Sequence, residues 1–164
     1  MQEMTRKQVV LFTGAECPKE MKGTGSWSCI LTFGNHKKEL SGYQNGTTLE
    51  RMELFSIISA LGALKEPCDV RLYSNSSFLM ETLRKKNLEK WMLSEWKDDN
   101  GEVLLHKDLF MILYFQTRKH HIVFARWNPN QFVEELSRCR ELTRNALDEY
   151  NKMDNPQSDD QMLS

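Results

Sequence analysis

No stretch of this 164-residue chain approaches the ~20 consecutive apolar residues needed to cross a bilayer, so no membrane-spanning helix is expected. Met1 to Gln8 carries charges where a secretory signal would need an apolar run, and a cytoplasmic location is the expectation. Charge of one sign is also missing. The 22 Lys plus Arg stand against 23 Asp plus Glu, a net of -1, so the overall basic field by which many nucleic-acid binders gather phosphates is absent. Cysteine is sparse and dispersed: Cys17, Cys29, Cys68 and Cys139 form no C-x-x-C pair and have no histidine at ligand spacing. Reduced core thiols are expected there in preference to a zinc site. With only 8 Gly and 4 Pro, collagen-like and low-complexity chains are excluded. What remains, 40% hydrophobic and 27% charged residues, suits one domain with its own core.

The apolar pattern divides this domain into elements. Val9 to Thr13 is a short β-rich run followed by loop residues Gly14, Pro18, Gly23 and Gly25. Trp27 to Phe33 and Lys37 to Tyr43 read as a hairpin turning at Gly34-Asn35. From Leu49 to Lys65 the residues Met52, Leu54, Phe55, Ile58, Leu61 and Leu64 recur at helical spacing, with Thr47 or Thr48 as cap and Pro67 beyond the end. Asp69 to Ser74 alternates as a strand, and Ser76 to Lys86 and Leu105 to Thr117 read as helices. Between those helices lies a piece, irregular or a short helix plus loop, holding Trp91, Trp96 and the Asp98-Asp99-Asn100-Gly101 turn. His121 to Trp127 is a fifth strand, and Phe132 to Tyr150 a helix with one apolar face. Residues 1–150 are therefore read as a single domain and 151–164 as a disordered acidic tail. The order βββαβα(α)αβα is that of an α/β fold with a mixed sheet.

Several segments, taken in order, resemble RNase H of the bacterial type-one kind from Val9 to Ala146. Leu11-Phe12-Thr13-Gly14-Ala15-Glu16-Cys17 resembles the family's first strand and turn, usually F-T-D-G-S, and Gly23-Thr24-Gly25-Ser26-Trp27 its glycine-rich turn. Gly42-Tyr43, Thr47-Thr48 and Arg51-Met52-Glu53-Leu54 resemble G-Y and T-T-N-N-R-M-E-L. Leu72-Tyr73-Ser74-Asn75-Ser76 resembles the T-D-S strand, and Arg138-Cys139-Arg140-Glu141-Leu142 the final helix, usually R-C-D-E-L. The resemblance implies an RNase H-like five-stranded mixed sheet in the order 3-2-1-4-5, flanked by helices. It also implies an activity, hydrolysis of the RNA strand of RNA:DNA hybrids with two magnesium ions.

That chemistry needs clustered carboxylates, because two divalent cations ~4 Å apart repel strongly unless negative oxygens surround them. At the four positions that the resemblance assigns to catalytic carboxylates, this chain has Gly14, Glu53, Asn75 and Arg140, so Glu53 alone is retained. Gly14 offers no ligand atom, Asn75 a neutral carbonyl, and Arg140 a permanent cation where a metal should sit. Asn130 stands at the position of the family's catalytic-loop histidine, within Trp127-Asn128-Pro129-Asn130-Gln131. Leu49 and Glu50 replace two asparagines that usually read the hybrid's minor groove. The segment matching the basic protrusion, residues 81–108, carries six basic against seven acidic residues, which leaves little counterion release to drive phosphate binding.

Each candidate residue also has a plainer role. Glu53, with Asn75 beside it, is a weak metal ligand at most, and the opposing charges favour an ion pair between Glu53 and Arg140. Glu16, on a loop, is a candidate to bend inward and rebuild the site; Glu141, ~100° around the helix from Arg140, would need a register shift. His120 and His121, adjacent on a strand, face opposite sides. Trp91 and Trp96 suit core packing better than base stacking, and Arg84-Lys85-Lys86 a solvated helix face. The leading expectation is a catalytically degenerate RNase H-like protein that binds nucleic acid, such as an RNA:DNA hybrid, or a protein partner, with no cofactor. The runner-up is an active ribonuclease using Glu53 with Glu16, Asn75 and Glu141 and magnesium or manganese. A third is an interaction module using the sheet edge or the Trp91 to Trp96 surface.

Overall fold

The structure, a computed structural model, describes residues 5–19, 23–84, 86–125, 130, 131 and 133–154. Alternation on the first strand, β1 (Lys7–Glu16), sends Val9 and Leu11 to one face of the sheet and Val10 and Phe12 to the other. Both faces are covered, so β1 reads as a continuous apolar run. Antiparallel to it lies β2 (Gly25–Phe33), and antiparallel to that β3 (His36–Gln44). The β2–β3 connection is the tight turn expected at Gly34-Asn35, with Gly34 at φ +57, a left-handed conformation that glycine adopts without strain.

The helix α1 (Leu49–Gly62) starts at Thr48, whose hydroxyl accepts from the Arg51 N–H at 3.3 Å. It buries Met52, Leu54, Ile57, Ala60 and Leu61. The chain then crosses to β4 (Cys68–Tyr73), parallel to β1 with Leu11 opposite Leu72. Short helices α2 (Ser77–Arg84) and α3 (Asn87–Leu93) lead through the 94–106 segment to α4 (Lys107–Lys119), which lies on α1. Trp91 and Trp96 pack there against Phe110 and Tyr114, as core residues. The edge strand β5 (His121–Phe124) pairs parallel to β4, and α5 (Glu134–Asp154) returns across β1 and β2 on the face opposite α1. The sheet order is β3-β2-β1-β4-β5, as expected.

Most element ends differ from the sequence reading by one to four residues, and two of these shifts bear on the residues of interest. β1 continues past Thr13 to Glu16 because β2 offers it partners as far as Ser26, so Glu16 sits on a strand and not on a loop. α5 continues to Asp154, four residues into the segment expected to be disordered, while 155–164 lie outside the described residues. The strand expected over His121 to Trp127 is observed as His121–Phe124, and 126 and 127 of that expectation lie outside the described residues. Cys29, Cys68 and Cys139 are buried free thiols and Cys17 is half-buried. No helix among the described residues is long and apolar enough to cross a membrane.

Candidate functional site

β1 has the antiparallel β2 on one side and the parallel β4 on the other, so the carboxyl ends of β1 and β4 open a crevice at the point where the sheet changes sense. A cavity of about 200 Å³ lies there. β1 contributes Thr13 to Glu16, α1 Glu53 and Ser56, the segment after β4 Ser74 to Ser76, and α5 Leu136 and Arg140. Gly14, Glu53, Asn75 and Arg140, distant in sequence, therefore meet in one cleft, and Glu16 joins them. Glu141 does not: it faces along α5 and pairs with Arg138 at 3.0 Å. Asn130 is exposed and outside the residues that line the cleft, and Trp127 to Pro129 lie outside the described residues.

The expected ion pair between Glu53 and Arg140 does not form. Glu53 accepts instead from the Ser76 hydroxyl, at 2.6 Å from Oε2. Ser76 precedes α2, and the same hydroxyl oxygen accepts from the Leu79 N–H at 3.0 Å, so one side chain caps a helix and partners the half-buried carboxylate. Burial pushes the Glu53 carboxyl above its usual range, the Ser76 bond pulls it down, and Glu50 adds to the rise. Arg140 and Asn75 are exposed at the mouth, and neither side chain makes a hydrogen bond or ion pair among the described residues.

Space beside Gly14 is tight. A Cβ there would lie 3.1 Å from both Cys139 Cβ and Ser28 Oγ and 3.3 Å from Thr143 Oγ1. The α5 backbone approaches closely because hydroxyls fasten it to β2. Ser26 donates to the Thr143 carbonyl at 2.7 Å and Ser28 to the Cys139 carbonyl at 2.8 Å, with the Thr143 hydroxyl 2.9 Å from that of Ser28. Sequence periodicity marked the apolar face of α5 but not this polar fastening. The hint was Thr143, one turn after Cys139 on a buried face.

The positions before Glu53 are also re-employed. Arg51 forms a bidentate pair with Asp108 at 3.1 and 2.7 Å and reaches His106 Nδ1 at 3.4 Å. Because a guanidinium only donates, Nδ1 of the buried His106 is the acceptor, and its Nε2–H donates to Glu50 at 3.0 Å. The residue standing where a groove-reading asparagine would be is thus tied to the start of α4. Leu49 is exposed.

The donor set of the cleft does not fit a pair of divalent cations. Among the described residues two carboxylates line it, one already bonded to Ser76 and the other, Glu16, 3.9 Å from Arg144, while a guanidinium lines the same space. Among the described residues, no group of three or more His, Cys, Asp or Glu side chains is placed to hold a metal ion.

The Glu53 environment predicts a pH signature. A carboxyl whose folded pKa lies above its unfolded value of about 4.5 makes the native state bind the extra proton, so stability falls as pH rises through that window. Glu53→Gln is expected to remove this decline and to match or exceed the parent in stability at neutral pH. Glu39 and Asp108, held below their usual range by Arg138 and Arg51, slope the other way and are common to both proteins. The difference between the two melting profiles from about pH 4 to about pH 8 isolates Glu53. A Gln variant that loses stability throughout would contradict this account.

Comparison with known proteins agrees with the fold. A family profile described as RNase H matches residues 6–129. The chain is 36% identical over 141 residues to the Ribonuclease H of Symbiobacterium thermophilum, covering 86% of this chain and 95% of that protein. It is 38% identical over 146 residues to that of Acetivibrio thermocellus, covering 89% and 97%. Among solved structures, LC9-RNase H1, described as a type 1 RNase H with the type 2 active-site motif, superposes with a TM-score of 0.73 at 14% identity, over 88% of this chain and 74% of that one. LC11-RNase H1 in complex with an RNA/DNA hybrid superposes at 0.62 and 18% identity, over 87% and 98%. The structural likeness speaks for the sheet order and flanking helices, and the sequence identity over nearly the whole length carries the rest: this chain belongs to the RNase H family.

Proposed function

We propose that this chain is a family member that has given up two-metal hydrolysis and acts as a binding module for nucleic acid of the RNA:DNA hybrid class. The observation that carries this reading is the content of the cleft. Among the described residues it is lined by two carboxylates, each with a partner, and by the Arg140 guanidinium. The closure of α5 over Gly14 supports it, since the space next to that backbone is filled by packing. The family's named activity, carried by relatives called Ribonuclease H, supplies the ligand class. A rearranged active site has one observation in its favour, the presence of Glu16 in the cleft. Against it stand the neutral amide of Asn75 and the engagement of Glu141 with Arg138 outside the cleft.

The test is cleavage of a fluorescent RNA:DNA hybrid in magnesium and then in manganese, with Glu53→Gln in parallel. No cleavage is expected in either metal, and millimolar magnesium is expected to leave the melting temperature unchanged because nothing in the native state binds it preferentially. Hybrid should raise the melting temperature by mass action. Turnover that disappears in Glu53→Gln would establish a rebuilt metal site and end the proposal.

A further inference from the structure

Arg140 is an unusual cation for this fold position: it is exposed, lines the cleft, and has no anionic partner among the described residues. The neighbouring arginines differ. Arg138 is spent on Glu39 at 2.8 Å and on Glu141, while Arg144 makes only a long, exposed contact of 3.9 Å with Glu16. Arg140 and Arg144 are four residues apart on α5, so they share a helix face with a separation of about 6 Å along the axis. A second, more open recess on that face, lined by both arginines together with Glu141, which is paired with Arg138, and Asp148, meets the cleft at Arg140. Asn75, whose side chain makes no hydrogen bond among the described residues, adds an amide donor from the segment after β4.

A guanidinium presents a planar fork of N–H donors that matches two oxygens of a phosphodiester, and it keeps its charge at any physiological pH. It neutralises the phosphate as a divalent cation would, but carries no water that can be deprotonated for attack. We propose that the cleft is a metal-free phosphodiester site, in which Arg140 grips one backbone phosphate of a nucleic-acid strand and Arg144 the next. This rests on the binding reading above and adds how the ligand is held. The two arginines form a track that leads out of the cleft along α5. Glu53, bonded to Ser76, stands off the track, whereas Glu16, 3.9 Å from Arg144, and Asp148, which lines the recess, are the carboxylates that a phosphate on Arg144 has to displace.

The experiment is titration of a labelled short RNA:DNA hybrid with the full chain, followed by fluorescence anisotropy across a range of salt, in EDTA and in magnesium. The parent is expected to bind equally well without divalent cation. Arg140→Gln is expected to weaken binding about tenfold and to lower the slope of log affinity against log salt by about 0.9, the signature of one lost phosphate contact. Arg144→Gln should lower the slope by a similar amount, Arg140→Lys should keep the slope while losing part of the affinity, and Arg118→Gln, on α4, should change neither. Melting curves confirm that each variant is folded, and the exposure of Arg140 leaves the core untouched. Hybrid binding that ignores Arg140 overturns this site and leaves the binding module standing. Binding that requires magnesium overturns the metal-free grip, and absence of any hybrid binding overturns both.

Discussion

Replacing Gly14, Asn75 and Arg140 together by aspartate is expected to give a protein that melts below the parent in EDTA and regains stability in millimolar magnesium, while the parent melts alike in both. Two costs lower the first melt. A side chain at Gly14 meets Cys139, Ser28 and Thr143 at 3.1 to 3.3 Å, and overpacking of this kind costs about 1–3 kcal/mol, or roughly 2–4 °C per kcal/mol in a chain of this size. The substitutions also move the cleft's formal charge by four units towards negative beside Glu53 and Glu16, where like charges repel in a half-buried space. Magnesium relieves the second cost and not the first. At ten times its dissociation constant it returns about 1.4 kcal/mol. Gly14→Ala separates the two, because it introduces the crowding without the charge and should be indifferent to magnesium. Hybrid cleavage by the triple variant, set against a parent that shows none, would tie the proposed loss of hydrolysis to these three positions. A parent that gains as much from magnesium as the variant does would show that the missing carboxylates are not what excludes the ions.

Much of the fold is legible in the sequence because local rules agree with the tertiary structure. The alternation of Val9, Leu11 and Thr13 against Val10 and Phe12, the Gly34-Asn35 turn, the Thr48 cap and the helical spacing of Met52 to Leu61 each specify their element without help. The limits of the elements are less legible. The end of β1 is set by the partners that β2 offers rather than by its own residues, which is why Glu16 reads as loop and folds as strand. The four cleft positions follow from the motif order, since strand ends and helix starts at a sheet's switch point are brought together by topology. How their side chains are used does not follow. The charges of Glu53 and Arg140 suggest a pair, yet the hydroxyl of Ser76, 23 residues from Glu53, takes the carboxylate, and hydroxyl partners leave no trace in hydrophobic periodicity. The same holds for Ser26, Ser28 and Thr143 beneath Gly14, and for His106, whose role depends on Arg51 and Glu50 arriving from another element.

Ser76→Ala is expected to be among the most destabilising small truncations in the molecule, at about 2–5 kcal/mol, although it removes a single oxygen. Two losses coincide. The cap of α2 is worth about 0.5–2 kcal/mol, and a hydrogen bond to a charged group about 1.5–3 kcal/mol because the carboxylate is left without a partner where water reaches it poorly. The losses separate in a double-mutant cycle with Glu53→Gln. In the Gln background there is no ionised oxygen to strand, so truncating Ser76 should cost little more than the cap. The pH dependence supplies a second reading of the same bond. The Ser76 hydroxyl is the one influence holding the Glu53 carboxyl down against burial and Glu50, so its removal lifts that pKa further. The folded state then holds its proton over a wider window above the unfolded value, and the stability of Ser76→Ala should fall more steeply with rising pH than that of the parent. Equal costs of Ser76→Ala with Glu and with Gln at position 53 would mean that the hydroxyl serves α2 alone. Rescue of Ser76→Ala by magnesium would mean that Glu53, once released, is a metal ligand after all, and the binding-only reading of the cleft would have to be withdrawn.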